Sequence, residues 1–232
     1  MERFNQIETW VFDLDNTLYS PDCKLFDQID VRMGTFISEL LDVDRIEARR
    51  IQKDFFFHYG TTLSGLMNEH NVKPADFLEF VHDIDRSVIP HDETLNGVLA
   101  RLPGKKYICT NGSVAHAEAT LAEIGISAHF DDIFDIHAFD YQPKPARKAY
   151  DVMLKQAGFN PERAAMFEDI ARNLEIPHEL GMATVLITSQ NNEDGALINR
   201  LNGDDNGAHY VHHTTDDISE FLSSIFAQGV NK

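Results

Sequence analysis

The stretch TWVFDLDNT, residues 9–17, decides how the chain is read. Its first four residues are bulky and largely apolar, without polar alternation, which predicts a short strand buried on both faces of a parallel sheet. The run stops at Asp13-Leu14-Asp15-Asn16-Thr17. Open parallel sheets bind ligands just beyond the carboxyl ends of their strands, so two carboxylates here stand where such a sheet carries its chemistry.

Three more runs share that character: KYICTN at 106–111, AAMFED at 164–169 and ATVLIT at 183–188. Apolar residues at helical spacing predict helices over 113–124, 145–157 and 171–180. Gly125, Gly158 and Gly181 follow them as helix stops. Strands alternating with helices predict an α/β fold, a Rossmann-like doubly wound parallel sheet. One segment breaks the alternation. From residue 20 to 90 no strand is convincing, and FDQIDVRMGTFISELL, DRIEARRIQKDFFF, TLSGLMNEH and PADFLEFVHDI all carry apolar residues at helical spacing. About seventy residues are too many for a crossover and predict an inserted all-helical domain. The expected division is 1–19 with 91–232 as the core and 20–90 as the insertion. The polar stretch 191–210 predicts an irregular surface segment before a closing helix near 216–226.

The remaining predicted strand ends add to the same rim. One ends in Thr110-Asn111-Gly112-Ser113, another in Glu168-Asp169 with Asn173 a helical turn later, and Lys144 sits between Pro143 and Pro145 where a loop enters a helix. Four carboxylates this close cannot all be ionised without a cation. Oxygen-only ligands select a hard ion, and a few carboxylates shared with phosphate and water form the usual magnesium pattern. Lys144 and the amides after Thr110 would neutralise an anion on the far side. The set describes a magnesium-assisted phosphate site.

Composition narrows the partners. The chain has 232 residues, 43% hydrophobic and 25% charged, which argues against disorder and fibrous architectures. Twenty basic against 38 acidic residues give a net charge of −18, a field that repels a nucleic-acid polymer. A small anionic substrate remains compatible, since one lysine and a metal ion invert the field locally. Two cysteines, Cys23 and Cys109, suit a reducing cytoplasm. MERFNQIETW lacks the apolar stretch of a secretory signal, and no run approaches the ~18 residues of a membrane span. A cytoplasmic protein is expected, with a small phosphorylated substrate, no membrane partner and an oligomeric state the sequence leaves open.

At these residues the chain resembles the haloacid dehalogenase superfamily, whose four motifs stand here in order as DLDNT, TN, PKP and FED. The helical insertion matches that family's cap. The resemblance implies a mechanism. Asp13 would attack phosphorus and become an aspartyl phosphate; Asp15, with a raised pKa, would protonate the leaving alkoxide and later deprotonate water. Magnesium would be held by Asp13, the backbone carbonyl of Asp15 and Asp169, with Glu168 acting through water. Thr110, Asn111 and Lys144 would bind phosphoryl oxygens, while Thr17, Glu168 and Asn173 support them. A carboxylate at Asp15 favours phosphoryl transfer over dehalogenation, because a halide leaving group needs no proton. FDLDNTLY at 12–19, HYGTTLSGL at 58–66 and FEDIARNL at 167–174 are similar to the pyrimidine 5′-nucleotidase group. That implies a nucleoside 5′-monophosphate substrate, with Thr61 and Thr62 reaching it. A sugar-phosphate phosphatase or a phosphomutase would use the same core.

Other features read more plainly. Phe55, Phe56, Phe57 and Tyr59 suit helix packing before base stacking, and His58 packing or solvent before catalysis. His209, His212 and His213 suit a solvated edge, Cys109 a buried strand position, and Asp131, Asp132, Asp135 and Asp140 a solvated loop. A phosphate-responsive regulatory module also combines an acceptor Asp with Thr and Lys. It places that Asp after a middle strand and carries no helical insertion.

Overall fold

The computed structural model describes residues 2–188 and 208–229. Among them six strands form one parallel sheet: β1 (Thr9–Phe12), β2 (Lys105–Cys109), β3 (Asp132–Phe134), β4 (Ala164–Glu168), β5 (Ala183–Ile187) and β6 (His213–Thr215). Their order is β3-β2-β1-β4-β5-β6. This is the doubly wound order, in which the chain works outward from β1 to one edge and then from β4 to the other. β1 is the hinge of that pattern, Thr9 pairing with Lys105 on one side and Ala164 on the other.

The sheet is buried on both faces, as the unalternated strands predict. Trp10, Phe12, Ile108 and Phe167 pack beneath helices α5 (Glu93–Arg101), α6 (Val114–Ile124) and α9 (Ile218–Gly229). Val11, Cys109 and Met166 pack on the opposite face with α7 (Arg147–Ala157) and α8 (Glu175–Glu179). Beyond α6 and α7, Gly125 and Gly158 take φ of +87° and +68°, the left-handed stops expected of them.

Between β1 and α5 lie four helices: α1 (Leu25–Leu41), α2 (Arg45–Tyr59), α3 (Thr62–His70) and α4 (Pro74–Val81). Local chemistry sets their starts. Asp44 accepts from Ile46 N–H and Glu47 N–H at 2.9 Å, Thr61 accepts from Ser64 N–H at 3.1 Å, and Pro74 opens α4. They share a separate core of Ile29, Ile37, Leu63, Leu66, Phe77 and Val81, which Ile136 joins from beyond β3.

Several expectations need correction. The strands stop one to three residues short of the predicted ends, which leaves Asp13, Thr110 and Asp169 just past the ladder. β3, β6 and α5 were not anticipated. β3 begins inside the acidic run, and Asp135 is buried, accepting from Val114 N–H at 3.0 Å and Ala138 N–H at 2.9 Å. His212 is not simply solvated either, since its Nδ1 accepts from Thr184 N–H at 3.1 Å and β6 carries His213 against Phe4 and Phe221. The helix expected over 171–180 is a 3-10 turn at Ala171–Leu174 followed by α8. Pro177 explains the break, because its ring excludes the α-helical carbonyl four residues earlier, and Asn173 O accepts from Tyr150 Oη at 2.6 Å instead. Most of the polar stretch 191–210 lies outside the described residues.

Candidate active site

The predicted strand-end groups converge where the winding reverses, between β1 and β4. Asp13 N–H donates to Phe167 O at 2.9 Å, a bond that sets the first residue past β1 beside the end of β4. Lys144 Nζ, fully buried, donates to Asp13 Oδ1 at 2.6 Å and to Glu168 Oε1 at 2.7 Å. Asn173 Nδ2 donates to the same Glu168 oxygen at 2.7 Å, and Ile170 N–H to the other at 2.7 Å. Thr17 Oγ1 donates to Asp13 Oδ2 at 3.2 Å. Asn111 grips the backbone of Lys144, its Oδ1 accepting at 2.8 Å and its Nδ2 donating at 3.2 Å. Its side chain therefore places the lysine. Thr110 is buried beside it, Oγ1 accepting from Gly112 N–H at 2.9 Å.

Asp13, Glu168 and Asp169 each bring an oxygen within 4.8 Å of the others, all three buried. Three carboxylates beside one ammonium, which bonds to Asp13 and Glu168, leave net negative charge, and an oxygen-only set with that excess fits a hard divalent cation. The protonation behaviour agrees. Burial, aided by Glu168, pushes Asp13 up to about 7 despite Lys144. Burial and Glu168 also push Asp169 well above the ordinary carboxylate range. A dication at this point would relieve both shifts. Burial works against the charge on Lys144, but Asp13 and Glu168 hold its pKa well above the usual value.

Asp15 departs from the expected pattern. Burial acts to raise its carboxyl, yet the adjacent His116 ring and the Tyr19 hydroxyl hold it down at about 2. Tyr19 Oη donates to Asp15 Oδ1 at 2.6 Å, and His116 Nε2 lies 2.9 Å from the same oxygen. His116 is buried, its ring stacked on His82 with centroids 4.2 Å apart, and Arg86 Nη2 meets its other nitrogen at 3.1 Å. Sequence reasoning missed Tyr19, His82, Arg86 and His116. Only two signals pointed that way: Tyr19 is four residues from Asp15, and His116 is six from Thr110.

Above these groups opens a cavity of about 210 Å³. Its floor includes Asp13, Asp15, Thr110, Asn111, Lys144 and Asp169, while Phe26, Ile29, Met33, Phe56, Leu63, Phe77, Leu78 and Val81 form apolar walls. Thr61 and Thr62 line it too, with local partners: Thr61 caps α3, and Thr62 Oγ1 donates to Gln52 O at 3.4 Å. Phe56 faces the cavity beneath the Arg172 guanidinium, 5.0 Å from its ring centre. Phe57 is exposed, Tyr59 bonds to Glu69, and exposed His58 lies 2.8 Å from Asp54 O.

The geometry has known counterparts. Residues 7–181 match the haloacid dehalogenase-like hydrolase profile. Phosphate metabolism protein 8 of Saccharomyces cerevisiae is 26% identical over 197 residues, covering 77% of this chain, and the chain spans 61% of that relative's length. In fold, a haloacid dehalogenase phosphatase from Thermococcus onnurineus superposes with a TM-score of 0.63 at 16% identity, over 94% of this chain and 98% of that one. CbbY from Rhodobacter sphaeroides, solved with phosphate, gives 0.62 at 18% identity, over 93% and 96%. With three-quarters of its length matching that profile and the motif residues gathered at the carboxyl ends of the central strands, the chain belongs to the haloacid dehalogenase-like hydrolases.

Proposed function

We propose that this hydrolase is a magnesium-dependent phosphomonoesterase whose preferred substrate is a nucleoside 5′-monophosphate, pyrimidine before purine. The observation that carries the reading is the bonding of buried Lys144 to Asp13 and Glu168, beside Asp169, on the floor of an apolar-walled cavity. Residues 1–19 and 91–232 would form the phosphatase core and 20–90 its cap, which supplies the apolar walls. A flat base suits the apolar part of those walls, while Asp27, Asp30, Gln52 and Lys53 in the same lining offer polar partners to its edge and to the ribose.

The ion would be held by Asp13, the Asp15 backbone carbonyl and Asp169, with Glu168 through water, and its chemistry is to neutralise the transferring phosphoryl group. Asp13 Oδ forms a bond to phosphorus as the ester P–O bond breaks, and the leaving oxygen takes a proton from Asp15. Water then attacks the aspartyl phosphate, Asp15 takes its proton, and phosphate leaves with the Asp13 carboxylate restored. Lys144, Thr110 and the Asn111 amide hold phosphoryl oxygens through both steps. An arriving phosphate, a like charge, raises the proton affinity of Asp15 from its low resting value.

The test is phosphate release with magnesium from UMP, CMP, dTMP, AMP, GMP, glucose phosphates and p-nitrophenyl phosphate, with Asp13→Asn alongside. Fast release from UMP and CMP, lost in the variant, is the expected result. Release from sugar phosphates alone would overturn the substrate assignment, and release that survives Asp13→Asn would overturn the mechanism.

A further inference from the structure

Both hydrogen bonds to the Asp15 carboxylate fall on one atom. Tyr19 Oη and His116 Nε2 meet Oδ1 at 2.6 and 2.9 Å, and among the described residues no hydrogen bond reaches Oδ2. Oδ2 lies on the Gly112 side, where a Cβ added to that glycine would come within 3.9 Å of it. The proton on His116 is fixed by its other neighbour. A guanidinium can only donate, so Arg86 Nη2, 3.1 Å from Nδ1, requires the Nδ1 lone pair and leaves the imidazole proton on Nε2, pointing at Asp15. The arrangement is rigid. His116 is buried, its ring stacks on His82 with planes 9° apart, and Arg86 is tied to His82 O at 3.0 Å. His82 and Arg86 lie where the helical insertion returns to the sheet, so insertion residues set the orientation of a ring that reaches the core's reactive edge.

We propose that His116 is a positioning residue for Asp15: oriented by Arg86, it occupies Oδ1 together with Tyr19 and so reserves Oδ2 as the atom through which Asp15 gives and takes the proton. The inference rests on the acid–base role of Asp15 proposed above. In the first step the Oδ2–H bond breaks as the leaving oxygen gains that proton, and in the second Oδ2 receives a proton from water. With Oδ1 already accepting one N–H and one O–H bond, a proton placed there would meet two donors, whereas Oδ2, on the side of cavity-lining Gly112, accepts none among the described residues.

The experiment compares two substrates of similar size under kcat/KM, which reports events up to phosphoenzyme formation. Benzyl phosphate expels an alkoxide that needs a proton, while p-nitrophenyl phosphate expels a phenolate that does not. His116→Leu is expected to lower the benzyl-to-nitrophenyl ratio of kcat/KM by about tenfold or more, a part of the 10²–10⁴ that general acid catalysis supplies. His116→Gln, which restores an N–H donor, is expected to recover most of that ratio. Arg86→Gln frees the ring to turn or retautomerise and lowers the ratio in the same direction, which keeps the proposal testable should His116→Leu not fold. An unchanged ratio in these variants, with Asp15→Asn lowering it, overturns the role of His116. An unchanged ratio in Asp15→Asn overturns the acid role of Asp15 and the His116 inference with it.

Discussion

At the scale of single residues, Lys144 carries the largest consequence. It is the cation bonded to Asp13 and Glu168, and removing one partner from a buried ionic group costs about 3–5 kcal/mol because the others are left uncompensated. Lys144→Met should therefore abolish turnover and lower urea stability at pH 8 by that order. The sign of the pH effect follows. Asp13, already raised to about 7 with the lysine present, loses the group that lowers it, so the folded variant holds a proton that the unfolded chain releases. Part of the lost stability should return as pH falls from 8 to 5. Equal deficits at both values would contradict this account. Asp13, Thr110 and Glu168 are legible in the sequence because residue type and strand-end position together specify them, and Lys144 because it stands between two prolines where a loop enters a helix. His116 was not: a histidine on the first turn of a helix has no periodic or spacing signature, and its importance comes only from what the fold brings to its two nitrogens.

At the scale of elements, the helix pair α2–α3 shows how closely the insertion is built. A Cβ on Gly65 would sit 2.3 Å from Phe55 Cγ and 2.4 Å from its Cβ, atoms near the backbone that cannot swing aside. Gly65→Ala should lower stability by about 1–3 kcal/mol despite alanine's better helix propensity. Gly97 on α5 is the control, exposed with nothing within 4 Å, and Gly97→Ala should raise stability by about 0.5–1 kcal/mol. Thermal or urea melts of the two variants should move in opposite directions. Elements with many residues in period were readable, and α3 spans the very residues that its pattern predicts. β3 and β6, three residues each at the sheet edges, were not, because Asp132 and His213 interrupt any apolar run. Their strand character comes from the neighbour they pair with, which no local signal contains.

At the scale of the whole molecule, the return from insertion to core carries a pH dependence. Burial, with His116 and Arg86 adding to it, holds His82 down at about 3. Its folded value lies below the unfolded value of 6.5, so the unfolded chain binds the extra proton and stability falls as pH drops through that window. Asp13 works the opposite way over part of the same range, its raised value favouring the folded state on acidification. The contribution of His82 is therefore read by difference. Between pH 7.5 and 5 the protein should lose up to about 2 kcal/mol more stability than His82→Gln. Parallel curves for the two would show that His82 is protonated as readily in the folded state as out of it.

The central place of β1 also orders events during synthesis. Thr9–Phe12 finds its partners only when residues 105 and 164 have been made, whereas α1 to α4 pack on one another within residues 25–81. At about 5–20 residues per second, the strand waits roughly 5 s or more after its own synthesis for its first neighbour. In that interval a nascent chain carries local helical contacts that form quickly and an apolar strand with nothing to pair with. The segment that leads into Asp13 is thus made well before either of its partners, and it is where a ribosome-bound chain has most need of shelter.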